Sequence, residues 1–163
     1  SWFAKGDYTK RMTWVDKASL PRHVPRAIVA AEDTRFFTHH GFDFEELEAA
    51  REAAGKRGLP ARGASTLTQQ LVKNLFFTTH RSYVRKGLEL TITPLAELIL
   101  GKDRILELYL NVVEWGPGVY GIQEAARWHY KVPAAKLTRD RAARLAAILP
   151  APRRRRPERM GYY

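Results

Sequence analysis

Apolar positions recur at helical spacing through most of the chain, and no segment alternates well enough to predict a strand. The run Ala27-Ile28-Val29-Ala30-Ala31 predicts a helix from about Arg26, after a turn bracketed by Pro21 and Pro25. Asp43 is a good N-cap for a second helix from Phe44 to Ala54, with Gly55 as its stop. Ser65 is placed to cap a third, running to about Phe77. In it Thr66, Gln69, Gln70, Lys73 and Asn74 share an arc of about 140°, while Leu67, Leu71, Val72, Leu75 and Phe76 fill the opposite side. Another helix carries Arg85 to Glu89 and continues through Leu88–Leu100, where Pro94 should kink or end it before Gly101 stops it. Three more follow: Asp103–Leu110 closed by Asn111, one from about Ile122 to Tyr130, and Arg139–Leu149 capped by Thr138. Glu114–Gly121 holds too many glycines for a helix and reads as an ordered loop. Residues 1–20 read as extended, Gly55–Gly63 as a basic flap, and Pro150 to Arg156 as the end of the ordered part. The pattern predicts an all-α protein without repeats, a single domain over residues 1–163.

Composition sharpens this in three ways. A hydrophobic share of 45% and an aromatic share of 11% exclude a disordered chain. The net charge of +11, from 28 basic and 17 acidic residues, predicts anionic partners: nucleic acid, anionic headgroups or phosphorylated substrates. There is no cysteine, hence no disulfide framework, and no apolar run approaches the ~20 residues of a membrane span. The chain opens at Ser1 rather than methionine, so an N-terminal anchor or signal is expected to have been removed.

Candidate chemistry gathers at Glu32-Asp33, where a carboxylate at the end of an apolar run costs free energy unless paired. Phe36, Phe37, His39, His40 and Gly41 follow closely, too aromatic a company for a solvated turn. A lone Glu-Asp pair would still be a helix end facing water. The Thr66–Asn74 stripe carries amides, a hydroxyl and a single Lys, which suits a polyhydroxylated or anionic ligand as well as it suits an ordinary polar face. Arg85 and Lys86 share a helix face with Glu89, by itself a surface pair worth a few tenths of a kcal/mol. No His/Cys/carboxylate cluster has dedicated metal-ligand spacing.

Taken together, these residues closely resemble the peptidoglycan glycosyltransferases of family 51, the transglycosylases. Five blocks occur in the family's order across about Ala27 to Pro157. The first is Glu32, Asp33, Phe36, His39 and Gly41, and the second Gly63, Ser65, Thr66, Gln69, Gln70, Lys73 and Asn74. Arg85, Lys86 and Glu89 form the third. The fourth is Ile105, Leu106, Tyr109, Leu110 and Asn111 with Gly116, Gly121 and Ala125, and the fifth runs from Leu137 through Ala142 and Leu145 to Pro150. Glu114–Gly121 looks most like the monofunctional branch. Arg141 stands where the family usually has Glu, His129-Tyr130 replaces a Tyr-Phe pair, and Pro94 interrupts the helix after the third block.

The resemblance implies a lysozyme-like helical fold, with a large lobe and a small membrane-contacting lobe bearing Phe42, Phe44, Leu47 and the Gly55–Gly63 loop. It implies polymerisation of lipid II into β-1,4-linked glycan strands with inversion and an undecaprenyl pyrophosphate leaving group. Glu32 would be the general base, Asp33 would orient it or fix the local backbone, and Glu89 would be the second acid, positioning cations or a divalent ion on the pyrophosphate. Ser65, Gln69, Gln70 and Asn74 would hold donor sugar and phosphate, and Lys73, Arg81, Arg85 and Lys86 would face the pyrophosphate. No cofactor is required beyond, at most, a divalent Mg or Mn on that pyrophosphate. The implied partners are lipid II, the lipid-linked strand, the membrane surface and cell-wall synthesis proteins, with no nucleic acid. The implied location is the outer, periplasmic face of the bacterial cytoplasmic membrane. A lysozyme-like glycan-cleaving enzyme is the nearest alternative, disfavoured by the Lys/Arg cluster. A basic nucleic-acid-binding helical domain is more remote, because it leaves the carboxylate and amide spacings unexplained.

Overall fold

The computed structural model describes residues 11–58, 65–76 and 83–160, without the side chains of Arg11, Arg57 and residues 83–85. In chain order the main elements are β1 (Arg11–Met12), α1 (His23–Glu32), α2 (Phe44–Arg57), α3 (Leu67–Phe76) and α4 (Tyr83–Val112). They continue with β2 (Glu114–Gly116), β3 (Val119–Tyr120), α5 (Ile122–Tyr130) and α6 (Arg139–Ile148). The fold is mostly helical, as expected. Its core buries Val24 and Ile28 of α1, Leu67 and Leu71 of α3, Ile105, Tyr109 and Leu110 of α4, and Leu145 and Ile148 of α6. The main packing pairs are α3 on α4 and α1 on α6.

Several boundaries differ from the sequence reading, each for a local reason. Helix α1 starts at His23, three residues early, because Pro25 in a first turn removes no helical hydrogen bond. Helix α2 passes through Gly55 and stops at Gly58, whose left-handed backbone closes it. Thr66, not Ser65, caps α3: its hydroxyl accepts from Gln69 N (3.2 Å), and Gln69 Oε1 accepts from Thr66 N (3.0 Å). This is a reciprocal capping box. Leu75 and Phe76 at the far end of α3 are exposed rather than buried. Pro94 does not break α4. The break falls at Gly101, the expected stop (φ 71°, ψ 164°), in a conformation that glycine alone adopts cheaply.

Asn111 lies inside α4 and is no C-cap. Its side chain accepts from Val15 N (2.8 Å) and donates to Val15 O (2.9 Å), pinning the extended N-terminal segment. The Glu114–Gly121 region is a hairpin rather than a loop, and β1 adds parallel to β3, giving a sheet of order β1-β3-β2. These strands are two or three residues long, too short for a period of two to show. Helix α6 ends one residue earlier than expected. The ordered chain does not end at Arg156: Pro157 is buried and Arg144 Nη1 donates to Met160 O (2.6 Å). Residues 1–10, the flap beyond Gly58, Phe77 and Arg81 lie outside the described residues.

Helix α2 stands apart, since none of its described side chains is buried and Phe44 is 71% exposed. It is held at its start by the Asp43 cap, which accepts from Glu46 N (3.0 Å), and by ion pairs from Arg35 to Asp43 and Glu45.

Candidate active site

Helix α1 ends with Glu32 on the wall of a cleft of about 120 Å³, lined also by Ala31, Asp33, Thr34, Asp43, Glu46, Ser65 and Thr66. Glu32 is half-buried. Its Oε2 accepts from Gln70 Nε2 (3.0 Å), and the same nitrogen lies 3.3 Å from the Ser65 carbonyl. Gln70 Oε1 is 2.9 Å from the Tyr109 hydroxyl. Burial pushes the Glu32 carboxyl above its usual range. The Gln70 hydrogen bond and the Arg155 charge pull it back, and the Asp33 charge adds to the rise.

Asp33 is buried and fully engaged. Its Oδ2 accepts from Leu67 N (2.9 Å), the first residue of α3, and His39 Nε2 lies 3.0 Å from both of its oxygens. His39 Nδ1 accepts from Gly41 N (3.1 Å), so that nitrogen carries no hydrogen and Nε2 is the donor to Asp33. Gly41 O in turn accepts from Thr66 Oγ1 (2.6 Å). The first and second sequence blocks are thus joined through backbone and side chain at the start of α3.

Of the residues expected in the site, Glu32, Asp33, Ser65 and Gln70 meet around the cleft. Gln69 spends its Oε1 on the helix cap. Lys73 and Asn74 are exposed one turn further along α3. On α4, Lys86 Nζ lies 3.6 Å from Oε2 of the buried Glu89. Arg85 lies in α4 without a described side chain, and Arg81 is outside the described residues. Two participants were not singled out by sequence reasoning. Tyr109 appeared there only as one position of the fourth block, and nothing in its spacing shows that its hydroxyl reaches Gln70. Arg155, from the run expected to end the ordered part, sits within electrostatic reach of Glu32 and donates to Ala147 O (2.9 Å). Its neighbour Arg153 is paired with Glu114 (3.0 Å).

A helical domain organised around one carboxylate-bearing cleft is the class that fold and site define. The chain belongs to the transglycosylase family, whose family model matches residues 2–161. It is 49% identical over 150 residues to a biosynthetic peptidoglycan transglycosylase of Azoarcus sp. (strain BH72), covering 92% of this chain and 65% of that protein. Proteins of the same name from Burkholderia cenocepacia (strain HI2424) and Pseudomonas entomophila (strain L48) are 48% and 47% identical. Those matches cover 88% and 93% of this chain, and 58% and 64% of the relatives. The chain thus spans less than two thirds of the length of these relatives.

Proposed function

We propose that this chain is the catalytic domain of a peptidoglycan glycosyltransferase that polymerises lipid II. The observation that carries the proposal is Glu32: a half-buried carboxylate with a raised pKa, on a cleft wall and held by an amide, is suited to general-base work. Glu32 takes the proton of the acceptor sugar's 4-hydroxyl. The freed oxygen attacks the anomeric carbon of the lipid-linked donor strand, and the bond to undecaprenyl pyrophosphate breaks, turning an α linkage into a β-1,4 one. Lys73, Arg81, Arg85 and Lys86 stabilise the departing pyrophosphate, and Glu89 keeps those cations in place. Ser65, Gln69 and Asn74 bind donor sugar and phosphate.

A divalent Mg or Mn would arrive with the substrate pyrophosphate. Among the described residues no group of three or more His, Cys, Asp or Glu is arranged to hold a metal, so no step is assigned to one. The enzyme works on the outer face of the bacterial cytoplasmic membrane, with cell-wall synthesis proteins as its neighbours. The exposed α2 with Phe44 is the surface that rests on lipid, and the basic residues of the Gly55–Gly63 loop and Arg153–Arg156 favour anionic headgroups. No helix among the described residues is long and apolar enough to cross a membrane.

The test is lipid II polymerisation in detergent, run beside Glu32→Gln. Strand synthesis by the wild type and a loss of at least ~10²-fold in the variant are expected. A variant near wild-type rate removes Glu32 from the chemistry. A wild type that shortens ready-made glycan strands, yet extends none, makes the protein a hydrolase.

A further inference from the structure

We infer that Tyr109 is a positioning residue for Glu32: its hydroxyl fixes which end of the Gln70 amide meets the carboxylate. The inference deepens the general-base reading of Glu32 and rests on it.

Gln70 has one oxygen that only accepts and one nitrogen that only donates. Three polar groups surround that amide: Glu32 Oε2 at 3.0 Å and Ser65 O at 3.3 Å on the nitrogen side, and the Tyr109 hydroxyl at 2.9 Å on the oxygen side. The Ser65 carbonyl can only accept, so the nitrogen belongs on its side. The amide oxygen then faces Tyr109, and the hydroxyl must be the donor. Turning the amide over would set its oxygen against both the Ser65 carbonyl and the Glu32 carboxylate. Only a protonated Glu32, donating to that oxygen, would tolerate the turn.

Tyr109 guards against this flip. It is fully buried in the core on α4, beyond the break at Gly101, so its hydroxyl has no solvent to turn to. Burial and the nearby Glu32 and Asp33 charges hold its pKa well above the ordinary value, which keeps it a donor. In the flipped amide that hydrogen would lose its acceptor inside the core, a buried unmet donor. The hydroxyl thereby favours the amide orientation that donates to Glu32, and so favours the ionised base. The ring alone would serve the core equally well as Phe, so the hydroxyl is the informative atom.

The experiment is an NMR titration of Glu32 in protein carrying 13Cδ-labelled glutamate, with the pH profile of kcat/KM for lipid II polymerisation measured alongside. Wild type, Tyr109→Phe, Gln70→Ala and the double variant are compared. Each single variant should move the Glu32 titration and the acid limb upward by about one pH unit, the tenfold change expected from one lost charge-assisted hydrogen bond. The double variant should move no further than Gln70→Ala, because both changes cut one chain. A Tyr109→Phe protein that melts earlier but titrates Glu32 at the wild-type pH overturns the inference, since Tyr109 is then only a core residue. If Tyr109→Phe does not fold, a Gln70→Ala protein with an unmoved Glu32 titration overturns it as well. If the titration moves while the polymerisation profile does not, the positioning stands and the general-base reading falls.

Discussion

Asp33→Asn tests whether Asp33 holds the fold or takes part in the chemistry. Asp33 is 8% exposed and accepts from Leu67 N at 2.9 Å and from His39 Nε2 at 3.0 Å. Asparagine offers one acceptor in place of two. If its oxygen keeps Leu67, its amide nitrogen points at the His39 N–H, donor against donor. A buried hydrogen bond to a charged group is worth about 1.5–3 kcal/mol. Removing the negative charge from the N-terminus of α3 costs about 0.3–1 kcal/mol more. The sum, about 2–4 kcal/mol, is a large share of the roughly 5–15 kcal/mol that holds a domain folded. For a chain of 163 residues each kcal/mol lowers Tm by about 2–4 °C, so Asp33→Asn should melt roughly 4–16 °C early.

Calorimetry and urea unfolding read this directly, with an unchanged m-value showing that stability, not the unfolded state, has moved. His39→Ala and the double variant complete the cycle. Asp33→Asn should cost less when His39 is already absent. A Tm within about 2 °C of wild type, together with a polymerisation rate reduced ~10²-fold, would refute the structural assignment and return Asp33 to the chemistry.

Two further outcomes follow from the same loop. Gly41 has φ +96°, and a Cβ there would stand 2.9 Å from Thr93 Cγ2 and 3.3 Å from Glu97 Cγ. Gly41→Ala should therefore lose about 2–5 kcal/mol in urea unfolding, combining left-handed strain with overpacking. Burial raises the Glu32 pKa in the folded protein, so the fold binds the protonated acid better than the ionised one. The stability present below the unfolded pKa is lost as pH rises through the folded value. Glu32→Gln should accordingly raise Tm at pH 7 and leave it unchanged near pH 3, measured by scanning calorimetry at both.

Periodicity located the helices that bury a stripe, with Ile28, Leu71, Leu110 and Leu145 readable from spacing, whereas α2, whose described side chains are not buried, was readable from its Asp43 cap. Boundaries were decided by caps, prolines and glycines rather than by the apolar stripe. Thr66 rather than Ser65 caps α3 because Gln69, three residues on, closes the box with it. Pro94 is absorbed into α4, and the break falls at Gly101, the stop that the sequence indicated. The sheet escaped because its strands are too short to alternate, and the parallel partner β1 is more than a hundred residues away in sequence. Glu32, Asp33 and Gln70 stood out through family spacing and do meet. What could not be read is a contact between separate helices: Tyr109 on Gln70, or Arg155 near Glu32. Such pairings are set by how α3, α4 and the C-terminal segment pack, and each leaves only an ordinary core or surface residue in the sequence.

The division of labour between two adjacent acids follows from where each sits on a helix. Glu32 is the last residue of α1, at the end where unpaired carbonyls gather partial negative charge. Asp33, one residue on, turns away to the first N–H of α3, at the end where partial positive charge gathers. The same backbone step thus sets one carboxylate at a helix C-terminus and the next against a helix N-terminus. Burial deepens the contrast, since the field of a helix end is screened less away from water. Asp33 can then be buried because the α3 terminus and His39 satisfy it, and it holds the loop that leads from α1 to Gly41. Glu32 is left facing the cleft with Gln70 as its described hydrogen-bond donor, short of full compensation for its burial. A carboxylate so under-compensated gains by taking up a proton. The exchange of Glu32 and Asp33 between these roles would therefore destroy both: an acid one carbon longer at position 33 overshoots Leu67 N, and a shorter one at 32 falls short of Gln70.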